Sequence, residues 1–191
     1  MLKETLKWRA NYKPEEIRWD EIAHEAETGK IYRSNYIDKC GRTVLVMRPS
    51  CQNSKSTKGQ IRYLVYCMEN AILNLSPDQE QMVWLIDFQG FNLSHISLKV
   101  VKPFLEPKTQ NKVKFVYSDD LNTVKIMEDL FVMDQLESAF GGKDSSGFNI
   151  NKYAERMRED DKRMPSFWAT ETPPSVAPQP ALTSGCTSGF S

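Results

Sequence analysis

Ligands for metal and redox chemistry are scarce in this sequence. Among 191 residues there are two histidines, and the four cysteines form neither a CxxC pair nor an evident disulfide framework: Cys40, Cys51, Cys67 and Cys186. A structural zinc site needs four such ligands, usually in closely spaced pairs. We therefore expect no metal site and no cofactor.

The sequence also has no excess of charge of either sign and no long apolar run. The 25 basic and 25 acidic side chains cancel, so bulk electrostatics favours neither nucleic acid nor an acidic membrane. No stretch approaches the roughly eighteen apolar residues that span a bilayer, and the first ten residues, MLKETLKWRA, lack the apolar core of a signal peptide. These absences predict a cytoplasmic protein in a reducing compartment.

What is present is an alternation of helical and strand patterns. Helical periodicity predicts helices near residues 2–12, 15–29 and 60–75, and the last of these carries one apolar face. That face contains Ile61, Leu64, Val65, Met68, Ile72 and Leu75. Residues 121–140 are predicted to be helical with a break near Met133 and an end at Gly141 and Gly142.

Strand patterns fill the gaps between these helices. Residues 31–48 indicate a hairpin with its turn at 38–42, MVWLID (82–87) indicates a strand buried on both faces, and KVKFVY (112–117) indicates another strand. The alternation predicts an α/β domain, with a mostly parallel mixed sheet flanked by helices and a hairpin at one edge.

The composition also predicts three regions along the chain: residues 1–28 as a helical region, 29–158 as the main domain, and 159–191 as a tail. Residues 151–164 are interpreted as a mixed-charge helix or extension. From Pro165 onward the chain is rich in Pro, Ser and Thr. Such a composition buries too little apolar surface to offset the entropy of ordering, so disorder is expected there.

Templates for catalysis do not fit this chain. There is no GxSxG elbow and no HExxH helix, and FGGKDSSG lacks the first glycine of a phosphate-binding loop, so its glycines are interpreted as a helix C-cap. Asp87 follows a strand, where α/β enzymes place catalytic acids, but a loop-capping role is favoured because no partner residue is near in sequence. We expect no enzymatic activity.

Lysines cluster between residues 99 and 114. This segment contains five lysines and a single acidic residue, Glu106. Lys112 and Lys114 are two residues apart, which places both on one side of the predicted strand. Two interpretations remain open. The pair is solvated at a strand end, or it lies at the mouth of a cavity and faces an anionic headgroup.

Four segments in order resemble the CRAL-TRIO family, especially its small plant members of the phosphatidylinositol-transfer type. They are DKCGRTVLVMRP, VWLIDFQGF, KPFLEPKTQNKVKFVYS and QLESAFGGK. The resemblance implies an apolar pocket whose floor is the sheet and which is covered by a gate helix. It also implies binding and intermembrane transfer of a phospholipid, with phosphatidylinositol named first, by a monomer that contacts membrane surfaces transiently.

The resemblance also implies the headgroup contacts. By position, Lys112 and Thr109 match residues that contact an inositol phosphate, while Asn92 and Ser94 match residues that contact choline in some members. In the family, a further segment separates the positions that match Val100 and Val101, whereas in this chain these two residues are adjacent. One helix–strand unit, on the order of 30 residues, is missing there, as is most of the N-terminal helical bundle.

This shortening leaves a second hypothesis open. A chain without one internal strand could transfer nothing and act as a protein-interaction module, with its Pro-rich tail docking as an extended segment. The loss of an internal strand either lets its two neighbours pair directly or leaves a gap with unpaired backbone groups.

Overall fold

The computed structural model of the chain describes residues 2–91 and 112–170. Its helices are α1 (Leu2–Tyr12), α2 (Trp19–Ala26), α3 (Thr57–Leu73), α4 (Leu121–Leu130) and α5 (Ile150–Thr170). Its strands are β1 (Ile31–Ile37), β2 (Thr43–Met47) and β3 (Met82–Ile86), and short 3-10 turns lie at Pro14–Glu16, Pro49–Cys51 and Ser138–Phe140. The predicted α/β class is confirmed.

The sheet of the described residues has the order β1-β2-β3. β1 and β2 form the predicted antiparallel hairpin, and β2 pairs with β3 in parallel, with Leu45 opposite Trp84 and Met47 opposite Ile86. Parallel neighbours need a crossover, which α3 supplies. This helix begins where Ser56 accepts a hydrogen bond from the Gly59 amide at 3.1 Å.

Each face of the sheet is covered by a different part of the chain. On one face, α3 reaches β1 through a hydrogen bond from the Tyr63 hydroxyl to the Ile31 carbonyl. On the other face, Tyr32 and Tyr36 pack against Phe148 and Phe131 respectively. The hydrophobic core therefore extends through both sides of the hairpin.

α5 crosses the predicted domain boundary at residue 158. The helix interpretation of residues 151–164 is confirmed, and the helix continues through Pro165 to Thr170, into the segment expected to be disordered. Buried side chains recur every three or four residues along α5, which gives the helix a stripe that packs inward: Tyr153, Met157, Asp160 and Met164. The rest of the predicted tail lies outside the described residues.

Two other sequence predictions fail near the far edge of the sheet. Residues 112–117, predicted as a strand, have no strand structure. The prediction that β3 is buried on both faces is also wrong, since Trp84 is 45% and Ile86 43% exposed. Within the described residues, no strand pairs with the outer edge of β3.

The apolar face predicted for α3 is also not its buried face. The residues of α3 that are buried include Tyr63, Tyr66, Cys67 and Asn70, whereas Leu64, Val65, Met68 and Ile72 are half-buried and Ile61 is 51% exposed. The buried face packs against α2 and α5. Of the predicted apolar face, Ile61 and Leu64 line a groove, whereas Val65 packs against the core.

Candidate ligand-binding groove

A groove lies between the first half of α3 and the end of the β1–β2 hairpin. Its volume is about 420 Å³. Ile31 and Met47, which pair across the hairpin, form its floor, and Ile61 and Leu64 of α3 form one wall. The remaining lining residues are Lys30, Arg48, Pro49, Gln52, Gln60 and Phe91.

Most of the groove surface is apolar, and this surface continues beyond the groove. Neighbouring residues of paired strands point to the same side of a sheet, so Ile86 and Trp84 extend the face formed by Met47 and Leu45. Both side chains are partly exposed. Exposed apolar surface of this kind, next to a cavity, is typical of sites that bind a hydrophobic ligand.

Lys30, at one end of the groove, is neutralised by a buried carboxylate. Its ammonium donates a hydrogen bond to Glu25, and both residues are buried, with Lys30 only 4% exposed. Burial alone would raise the pKa of Glu25, but hydrogen bonds from Lys30 and Ser54 and the charge of Lys30 lower it below its ordinary value. Glu25 therefore stays ionised, and it occupies the space that a side chain at Gly59 would need.

Arg48 lines the groove but directs its charge to a carboxylate as well. Its guanidinium donates a hydrogen bond to Glu137 at 2.7 Å and lies over the Tyr32 ring at 5.6 Å. Tyr32 also donates to Glu137, at 2.6 Å. Because Tyr32 faces away from α3, this cluster holds the Arg48 charge on the side of the sheet opposite the groove.

The residues predicted to contact a headgroup are not brought into this groove. Lys112 is exposed and is not among the lining residues. Thr109, Asn92 and Ser94 lie outside the described residues. Lys112 and Lys114 are exposed while Val113 and Phe115 are half-buried, so the predicted alternation holds over residues 112–115 without a strand, but it ends at Tyr117, which is exposed.

Sequence reasoning missed the polar residues of the groove. Lys30 follows Gly29 at a helix end and Glu25 lies within that helix, and a buried ion pair between them has no local signature. Asp87 behaves as predicted, since its carboxylate accepts a hydrogen bond from the Gln89 amide at 2.8 Å and so caps the loop.

A second depression, of about 820 Å³, lies beside α5 and has a different character. It is lined mainly by charged side chains: Arg33, Glu155, Arg156, Arg158, Glu159, Asp160 and Lys162, together with Asn74. Such a lining does not suit a hydrophobic ligand. Across residues 2–91 and 112–170, no group of side chains could hold a metal ion, and no helix is long and apolar enough to cross a membrane.

Comparison with known proteins agrees with this geometry. Residues 26–99 match the CRAL/TRIO domain, and the match ends beside the junction at Val100 where the family pattern is interrupted. The chain is also 30% identical, over 191 residues, to a CRAL-TRIO domain-containing protein of Schizosaccharomyces pombe. That alignment covers 82% of this chain but 18% of the yeast protein, so the chain spans less than a fifth of that relative's length.

A CRAL/TRIO domain indicates binding of a lipid or another small hydrophobic ligand, and the apolar groove is where the described structure offers room for one. The region matched includes β1, β2, α3 and β3, which together build that groove. On these grounds residues 26–99 of the chain belong to the CRAL/TRIO domain family.

Proposed function

We propose that this protein binds a membrane lipid in the groove beside α3 and carries it between membranes. The observation that supports this most directly is a cavity with a mainly apolar lining, in which Ile61 and Leu64 of α3 form one wall. Apolar side chains that remain partly exposed to water contribute less to stability than buried ones. A bound hydrocarbon chain would remove this apolar surface from water. Lipid transfer of this kind needs no covalent chemistry, no metal and no cofactor.

The resemblance extends the proposal to phosphatidylinositol, and it assigns the headgroup to Lys112. Because Lys112 is exposed, its ammonium is free to meet a phosphate during transient contact with a membrane surface. A charge-assisted hydrogen bond of about 1.5–3 kcal/mol corresponds to roughly ten- to a hundred-fold in affinity. Lys112→Ala should therefore weaken binding to phosphatidylinositol vesicles by that factor.

Lys114→Ala is the matched control, because it is exposed on the same side two residues away. We expect it to cost less than half as much in free energy. Equal losses for both variants that disappear at high salt would instead indicate a diffuse basic surface.

The broader proposal has its own test. The recombinant protein is incubated with vesicles of mixed membrane lipids and recovered, and its bound lipids are extracted and measured by mass spectrometry. We expect one lipid per chain, together with transfer of labelled lipid to acceptor vesicles. Recovery of protein without lipid, under conditions that load a full-length relative, would refute lipid binding.

One observation favours a second candidate function, that of a protein-interaction module. The outer edge of β3 has no partner within the described residues, and its five residues carry no charge or proline that would block pairing. A strand of another protein could add to this edge. If so, labelled lipid would not be transferred at all, and a partner would protect the β3 amides from hydrogen exchange.

A further inference from the structure

The volume and charge of the groove narrow the class of lipid. We infer that the groove accepts a lipid with one hydrocarbon chain and an uncharged polar head, such as a monoacylglycerol or a long-chain alcohol. This inference rests on the proposed function, since it concerns the same groove. It excludes phosphatidylinositol, which has two chains and a phosphate, from this groove: where the inference holds, the extension of the proposed function to that lipid fails and lipid binding stands.

The first argument is one of volume. An apolar cavity of about 150 Å³ holds one benzene molecule. By the same packing, a groove of about 420 Å³ holds roughly seventeen carbon atoms. That is the size of one acyl chain of a membrane lipid, and a two-chain lipid would leave its second chain in water.

The second argument concerns charge. Both cations that line the groove already have a carboxylate partner: Lys30 binds Glu25 inside the protein, and Arg48 binds Glu137 on the other face of the sheet. A phosphate or carboxylate brought into the groove would lose its hydration and would meet no cation there that lacks a carboxylate partner, although the Arg48 Nε is buried without a hydrogen-bond partner. A charged head is therefore disfavoured at this end of the groove.

The third argument concerns the polar groups that do remain. The Gln60 amide nitrogen donates to the Ser54 carbonyl at 2.7 Å, which orients the side chain on the groove wall. Gln52, also in the lining, is exposed at the groove's rim. Amide side chains offer one acceptor and two donors without charge, and so they suit a hydroxyl or an ester.

The experiment is a direct competition on the full chain. Phosphatidylcholine vesicles carry equal amounts of 1-monooleoylglycerol, oleate, oleoyl lysophosphatidylinositol and dioleoyl phosphatidylinositol, and the lipids bound to the recovered protein are measured by mass spectrometry. We expect monooleoylglycerol to be enriched at least ten-fold over each of the other three.

The outcomes separate the inference from the proposed function. If dioleoyl phosphatidylinositol or either charged single-chain lipid binds as well as monooleoylglycerol, the inference is wrong while lipid binding stands. If phosphatidylcholine from the vesicles is the lipid recovered, the inference is likewise wrong. If no lipid binds, the proposed function fails and the inference with it.

Variants connect the result to the groove. Leu64→Trp and Ile61→Trp place an indole in the cavity and should each reduce bound monooleoylglycerol at least ten-fold. Leu121→Trp is the matched control, because Leu121 lies on α4, is 84% exposed and does not line the groove. Equal binding by all three variants would show that the lipid sits elsewhere and would overturn the inference.

A last variant tests the charge argument separately from the volume argument. Glu25→Gln removes the carboxylate that neutralises Lys30 while keeping its size. The freed ammonium should move the preference at least ten-fold toward oleate. An unchanged preference in a variant that remains folded by circular dichroism would contradict the role assigned to this ion pair.

Discussion

Asp160 is the residue whose loss should disturb this fold most, because it joins three elements at a buried point. Its carboxylate accepts hydrogen bonds from Arg33 of β1 at 2.7 Å, from Asn70 of α3 at 2.9 Å and from Asn74 at 3.1 Å. Asp160 is buried and Arg33 nearly so. Arg33 also donates to Asn70 at 2.6 Å, so these residues form one network.

Asp160→Ala removes the acceptor and leaves the Arg33 charge in a buried place. Breaking a buried ion pair in this way costs about 3–5 kcal/mol, mostly because the remaining charge is uncompensated. For a chain of this size each kcal/mol lowers the melting temperature by about 2–4 °C. We therefore expect Asp160→Ala to melt roughly 10 °C lower than the unmodified protein.

Glu159→Ala is the control for this measurement. Glu159 is the preceding residue of α5, but it is exposed and pairs with Lys162 on the surface at 2.5 Å. Surface pairs contribute at most about 1 kcal/mol. Both variants are compared by calorimetry and urea unfolding, and a loss for Asp160→Ala no larger than that for Glu159→Ala would refute the network as a stabilising element.

The remaining predictions concern single groups. Burial raises the pKa of the Cys67 thiol to about 12, so iodoacetamide at pH 8 should modify the exposed Cys40 and leave Cys67 intact until the protein unfolds; peptide mapping that finds both modified equally would contradict this burial. Gly142→Ala places a methyl against the Leu136 carbonyl and should cost about 3 kcal/mol in urea unfolding, whereas a loss below about 0.5 kcal/mol would mean that the loop can move aside. The lowered pKa of Glu25 stabilises the fold above its ordinary value of 4.5 and loses that effect as the pH falls through the lower folded value. Glu25→Gln should therefore flatten the fall in melting temperature below about pH 4.5, and an unchanged acid slope would argue against that shift.

Local signals are enough to predict the hairpin and the parallel crossover. The turn at residues 38–42 and the apolar run of β2 are both visible in the sequence. The pattern misjudges α3, because two residues of its most apolar stripe, Ile61 and Leu64, line the groove. Its buried face carries Tyr66 and Asn70, whose partners Asp161 and Asp160 lie 95 and 90 residues away. Contacts at such separations leave no trace in local periodicity.

The kind of site can be predicted from the sequence, but its residues cannot. An apolar cavity next to the sheet is expected from the family pattern, and the groove beside Met47 agrees with it. The ion pair of Lys30 and Glu25 escapes prediction, because burial of opposite charges depends on how α2 packs against β1 and α3. Residues 112–117 alternate correctly for a strand, but a strand also has to pair with a sheet edge, and these residues do not pair with the outer edge of β3.

The small contribution of β3 to the core has a consequence for how this chain can vary in length. Leu85 is the residue of β3 in the buried core cluster, whereas β2 contributes Val44, Leu45 and Val46. Within the described residues, the core therefore depends more on β2 than on β3. Lengthening a connection costs free energy that grows only with the logarithm of its length. Between Phe91 and Lys112, then, whole structural units could be gained or lost through evolution or splicing without unfolding the helices and hairpin on which the rest of the molecule depends.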